Sequence, residues 1–237
     1  GQRNTSLMGN SAAKFDEAVL GTPEALSKEK YIAPPRTSMF ESLKPLSLEI
    51  APTAMMKTDI EVKTSDGKLL FTTRTDSMMM KEGSVLSPEG SVIMTTKYKT
   101  GFGKGTTRVL KSTPAYKGQE SSDTSIKDKG TPIYHFATIN YEMKMKADEG
   151  SYSLVTADGA KQLLYKAFKL NGMVFRVLVL DAKDVVVAKV SATSKWNKMF
   201  VAELAAGTDP VAIVTLASAC LGGGNSSAGA LAGAGVV

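Results

Sequence analysis

From Thr208 to Leu221 the chain reads TDPVAIVTLASACL, and beyond Asp209 this segment carries no charge at all. Thr208 or Asp209 offers a side-chain oxygen to the first free N–H groups of a helix, and Pro210 stands where a first-turn proline is tolerated. A helix without a polar side cannot lie on a surface, so this one must be enclosed all round. Ala212, Ala217, Ser218 and Ala219 are small enough to let the enclosing backbone approach closely. The segment is much shorter than the roughly 20 apolar residues of a membrane-spanning helix, and no other stretch comes nearer, so no membrane-spanning helix is expected. The enclosure has to be built by the rest of the chain.

What precedes the helix is a succession of short strands divided by turn signals. Asp59 to Thr64 and Lys68 to Arg74 flank Ser65-Asp66-Gly67, where glycine supplies the positive φ of a tight turn. Val85 and Leu86, Ser91 to Lys99, Thr106 to Ser112, Pro132 to Ile139, Tyr141 to Lys146 and Tyr152 to Thr156 follow in the manner of a meander. Asp158-Gly159 leads into Gln162 to Leu170, and Asn171-Gly172 is the strongest hairpin signal of the chain. Met173 to Leu180, interrupted only by Arg176, then turns at Asp181 to Asp184 into Val185 to Val190, with Met199 to Leu204 as the last strand. No helical crossovers separate these strands, which points to an antiparallel barrel or sandwich.

The 237 residues are 43% hydrophobic and 22% charged, ordinary usage for one folded domain with tails. Cys220 is the single cysteine and cannot form an internal disulfide, which suits a reducing, intracellular compartment such as the cytoplasm or an organelle interior. No apolar secretory signal stands at the start. Gly1-Gln2-Arg3-Asn4-Thr5 fits the pattern of an N-myristoylated glycine, making Gly1 the acyl acceptor in that reading, with cleavage after import or trimming as the alternative.

Residues 1–44 contain Pro23, Pro34 and Pro35 and sustain no period, as expected of an extended arm. One short helix is predicted from Ser11 to Leu20, where Ala12, Phe15, Val19 and Leu20 recur at helical spacing before Gly21. Residues 222–237 form a glycine- and alanine-rich, uncharged tail. The barrel domain is therefore expected over 45–221.

The closing strands and helix carry a family likeness. Met173-Val174-Phe175-Arg176-Val177, the strand Val185 to Val190, and Phe200 to Pro210 ahead of the apolar helix resemble the end of a LURP-one-related domain, a family sharing the tubby C-terminal fold with phospholipid scramblases. The resemblance implies a closed antiparallel barrel of about twelve strands around a central C-terminal helix, all-β apart from that helix. It implies little chemistry. Tubby proteins bind phosphoinositides and scramblases bind calcium and lipid, but no motif here allows those residues to be transferred, so any borrowed function is analogy of fold.

Among local features, the segment from Lys97 to Lys117 is the most informative. Lys97, Lys99, Lys104, Arg108, Lys111 and Lys117 occur in it without one acidic residue, and their number equals the net charge of +6. Lys97 and Lys99 share a strand face, and Gly101-Phe102-Gly103-Lys104-Gly105 places an aromatic tip beside a cation. Such a set can meet anionic lipid headgroups, each cation adding roughly 1 kcal/mol near an acidic membrane. A solvated barrel face is the plain alternative. Nucleic acid ranks lower, since no zinc, RRM or helix-turn-helix motif is present.

The glycines at 101, 103 and 105 lack the P-loop spacing. His135, the only histidine, lies between Tyr134 and Phe136 and reads as a packed strand position, not a catalytic base. Asp123, Asp128, Asp148 and Glu149 lack EF-hand spacing, and one Cys with one His does not make a structural zinc site, so neither a metal nor a cofactor is expected. Met78, Met79 and Met80 read as core or interface filler, and Cys220 as a small buried hydrophobe.

Two functional readings follow, neither an enzyme. The first is a structural or interaction subunit of a larger assembly, with the arm and tail lying across partner proteins. The alternative is a peripheral membrane protein that binds anionic lipid or phosphoinositide through the basic segment.

Overall fold

Twelve antiparallel strands close into a barrel around one helix, and a thirteenth, very short strand is added to it. The structure is a computed structural model. It describes residues 11–24, 26–27, 30–31, 45–52, 59–75, 82–101, 104–112, 117–120, 132–142, 148–170, 174–193 and 199–221. In chain order the elements are α1 (Ser11–Glu17), β1 (Leu46–Pro52), β2 (Ile60–Thr64), β3 (Leu69–Thr75), β4 (Glu82–Leu86), β5 (Val92–Gly101), β6 (Lys104–Ser112) and β7 (Gln119–Glu120). There follow β8 (Ile133–Glu142), β9 (Asp148–Val155), β10 (Lys161–Leu170), β11 (Arg176–Asp181), β12 (Val186–Ala192), β13 (Phe200–Leu204) and α2 (Pro210–Leu221).

The barrel runs β6-β5-β4-β3-β2-β1-β13-β12-β11-β10-β9-β8 and closes where β8 pairs with β6. Closure leaves the main sheet without a free edge. The extra strand, β7, pairs with the start of β8 at Gln119↔His135 and Glu120↔Tyr134. Strand alternation sends Leu48, Ile50, Val62, Val109, Ile139, Tyr152, Ala167, Val179, Val190 and Ala202 inward, all at most 1% exposed.

These inner residues pack on α2, whose residues from Val211 to Cys220 are all buried. Asp209, not Thr208, caps the helix: its Oδ1 accepts from the N–H groups of Val211 (2.9 Å) and Ala212 (3.2 Å). Thr208 instead donates to the Ala205 carbonyl at 2.8 Å. Thr215 and Ser218 donate to the carbonyls four residues back, at 2.7 and 2.6 Å, so the polar atoms of an enclosed helix are satisfied within it. Gly150 of β9 is the point of closest approach, because a Cβ there would stand 2.5 Å from Cys220 Sγ.

Several boundaries differ from the sequence-based expectation. Leu46, Leu48 and Ile50 alternate into β1, a strand the proline-rich surroundings conceal. Asn140 does not divide two strands; β8 runs unbroken from Ile133 to Glu142, its Asn140 facing outward beside Thr106. The strand expected from Met173 starts at Arg176. The N-terminal helix stops at Glu17 instead of Leu20, and the Gly21 N–H binds the Val186 carbonyl at 2.8 Å, holding the chain on the barrel.

The described part of the arm lies on its own barrel. Phe15 is 7% exposed against Leu170 and Leu178, with Arg176 and Lys189 over its ring at 5.4 and 5.0 Å. Tyr31, 4% exposed, reaches the end of the barrel where α2 begins and donates its hydroxyl to Gly207 O at 3.0 Å. Gly1, Phe102, Gly103, Met78 to Met80, Asn171-Gly172 and the tail 222–237 lie outside the described residues.

Candidate functional site

Strand register decides which basic residues can act together. Lys97 of β5 stands opposite Arg108 of β6, Arg108 opposite Thr138 of β8, and Thr138 opposite Ser153 of β9. The neighbouring row is Lys99, Thr106, Asn140, Ser151 and Lys166. Their chain neighbours Thr107, Val109, Ala137, Ile139, Tyr152 and Leu154 are buried on the inner side, so both rows lie on the outer face of the barrel. From β5 to β10 is four strand spacings, a band ~19 Å wide. Within it Thr106 donates its hydroxyl to Asn140 Oδ1 at 3.2 Å.

Ion pairs are unevenly spread over the barrel. Away from the band, Lys63 pairs with Glu61, Lys183 with Glu24 and Arg176 with Asp16; at its β10 border Lys166 pairs with Asp184 at 2.7 Å. On the band Lys97 pairs with Glu82 at 3.2 Å. Lys99, Arg108, Lys117 and Lys161 are exposed and meet no carboxylate among the described residues. Four cations without a carboxylate partner among the described residues lie on or beside two rows of hydroxyls and an amide, with Glu142 and Glu149 in the row beyond, and give this stretch a positive potential.

Two members of this face were not expected from the sequence. Lys161 lies outside the basic run, at the start of β10, and reaches the band through the pairing of β10 with β9. His135 arrives through a bulge. Val109 pairs with Ala137 and Leu110 with His135, so Phe136 is an extra residue in β8, and the strict alternation that would send His135 inward with Ala137 is broken. The His135 ring therefore lies on the outer side, its Nε2 3.0 Å from the Thr138 hydroxyl oxygen. Burial, and then the Arg108 and Lys161 charges, hold its pKa below the usual imidazole value. Gly118 packs under the His135 and Val155 carbonyls, where a Cβ would approach to 2.3 and 2.8 Å, and this close seating brings exposed Lys117 beside the same end of the band.

The chain is similar to a protein from Arabidopsis thaliana known by X-ray structure, at 13% identity and a TM-score of 0.45, over 76% of this chain and 91% of that one. It is similar to a Bacteroides fragilis protein of unknown function, known by crystal structure, at 13% identity and a TM-score of 0.25, over 57% of this chain and 81% of that one. No family model and no curated protein matches the chain.

The other expected site residues separate from the face. Lys104 belongs to β6 opposite Glu142, with its side chain outside the described part. Lys111 is 6% exposed and points inward, three positions from Arg108 and so on the opposite side of β6. Its Nζ donates to the Tyr31 carbonyl at 2.9 Å and lies 4.7 Å from the centre of the Phe136 ring. Burial draws its pKa down to about 8, opposed by the charge of Asp209 at the helix start. Lys111 thus ties the arm to the barrel and is removed from any outer anion-binding set. A cleft of about 260 Å³ adjoins this closure, between Pro23, Leu26 and Lys30 of the arm and Tyr165, Gly207 and Thr208.

Proposed function

We propose that the protein is a non-enzymatic docking module whose outer basic face, carried by β5, β6, β8, β9 and β10, rests on anionic lipid headgroups. The observation that carries this is the grouping of Lys99, Arg108, Lys117 and Lys161 on or beside one outer stretch of the barrel, exposed and without a carboxylate partner among the described residues. At roughly 1 kcal/mol for each cation near an acidic surface, four contribute about 4 kcal/mol, close to a thousandfold in partition. One alone does almost nothing. The barrel interior is filled by α2, so an anionic partner meets the outer wall and not a lumen.

The interaction-subunit reading loses part of its motivation, because the described residues of the arm, Phe15, Gly21 and Tyr31 among them, are engaged with the chain's own barrel. A LURP-one-related origin fits this proposal at the level of architecture alone.

Co-sedimentation with vesicles of phosphatidylcholine containing about 30 mol% phosphatidylglycerol tests the reading. Retention is expected at about 0.05 M salt and release at about 0.5 M, where the Debye length has shrunk to a few ångströms. Arg108→Glu with Lys161→Glu should abolish retention. Millimolar inorganic phosphate should not compete; if it does, the face holds a free phosphate and not a surface. Absence of retention at low salt, or equal retention by the double variant, overturns the proposal.

A further inference from the structure

Resting on the docking reading, we infer that His135 makes the face sensitive to pH, taking up a proton as an anionic headgroup binds, so that docking tightens as the medium becomes acidic. The bulge at Phe136 turns the imidazole outward, and its Nε2 lies 3.0 Å from the hydroxyl oxygen of Thr138, the residue directly opposite Arg108. Thr138 is only 1% exposed although it stands on the outer side, so the ring's hydrogen-bond partner is itself packed.

Groups from five strands surround the ring. Arg108 faces it from β6 and Lys161 from β10. On and beside β7, Gln119 is its register partner, with Glu120 one residue on and Lys117 just before. On β8 itself Tyr134 precedes it, while β9 presents Ser153 and Val155, which do not titrate. Lys111, opposite Tyr134 and with its pKa drawn down to about 8, is turned to the inner side. Histidine is the side-chain type whose charge ordinarily changes near neutral pH, so on this outer face His135 is the group that responds.

With the face free, partial burial and two nearby cations disfavour imidazolium. A headgroup settling over Arg108 and Lys161 offsets their charge and adds an anion, and both changes favour imidazolium. Binding then takes up a proton, and by linkage affinity must rise as pH falls. One added cation at a membrane surface corresponds to about a fivefold gain in affinity.

The test uses the whole chain and the same phosphatidylglycerol vesicles, whose phosphodiester does not titrate in this range. At constant ionic strength, the wild type should bind about fivefold more tightly at about pH 5.5 than at about pH 7.5, and His135→Asn should show no such difference. Because His135 is the chain's only histidine, its imidazole proton resonance gives the pKa directly. That pKa should rise when nanodiscs of these lipids are added, a readout needing no variant. Equal pH dependence in wild type and His135→Asn, or an imidazole pKa unmoved by lipid, overturns the inference while leaving docking intact. No retention at either pH removes the docking reading and this inference with it.

Discussion

A lysine enclosed as fully as Lys111 has exchanged water for one carbonyl, one aromatic ring and a carboxylate near the helix start. That exchange is incomplete, since burial brings the ammonium down from 10.5 to about 8. The folded protein therefore releases this proton before the unfolded chain does, and between those two values the unfolded state binds more protons. Stability from this residue rises with pH across that window, by up to about 3 kcal/mol for a difference of this size. Tyr152 and Tyr165, whose pKa values burial raises, act against it above pH 10 or so. We expect Lys111→Met to flatten the rise between about pH 8 and 10 in denaturant titrations, with little loss of stability at neutral pH. The position was legible in part: Arg108 and Lys111 are an odd number apart in one strand and cannot share a face. What concealed it was the run of basic residues, which reads as surface until the strand's alternation is imposed on it. His135 was less legible, because the bulge that re-aims it is visible only in the pairing of β8 with β6.

At the scale of elements, the fit of α2 against β9 is the most demanding contact. Adding one methyl at Gly150 brings it against Cys220 Sγ at 2.5 Å and Leu216 Cδ1 at 3.1 Å. Gly150→Ala should cost about 1–3 kcal/mol by overpacking. Cys220→Ala alone should cost about 1 kcal/mol through the space it leaves. Combined, the two should be less destabilising than Gly150→Ala by itself, a coupling that urea denaturation of the three variants measures. The helix was readable from the sequence because an uncharged segment with a cap and a first-turn proline admits few fates. Most strands were readable from turns such as Ser65-Asp66-Gly67. The strand β1 was missed for want of a turn before it, although Leu46, Leu48 and Ile50 alternate; β7, at two residues, is too short to leave a pattern.

For the whole molecule, enclosure of α2 makes the barrel and its filling one cooperative unit. The helix has no route to solvent that leaves the wall intact, so its amide protons should exchange only through global opening. Native-state hydrogen exchange should give the amides from Val214 to Ser218 the same opening free energy as denaturant unfolding; a clearly smaller value would mean that the helix can leave a standing barrel. The architecture also orders the events of synthesis. All the wall strands precede α2 in the chain, so a nascent polypeptide emerges from the ribosome with its staves complete and its filling still to come. Until α2 appears, the inner residues Leu48, Val62, Ile139 and Val179 must meet water, each other or a chaperone, and the arrival of the helix decides whether they close.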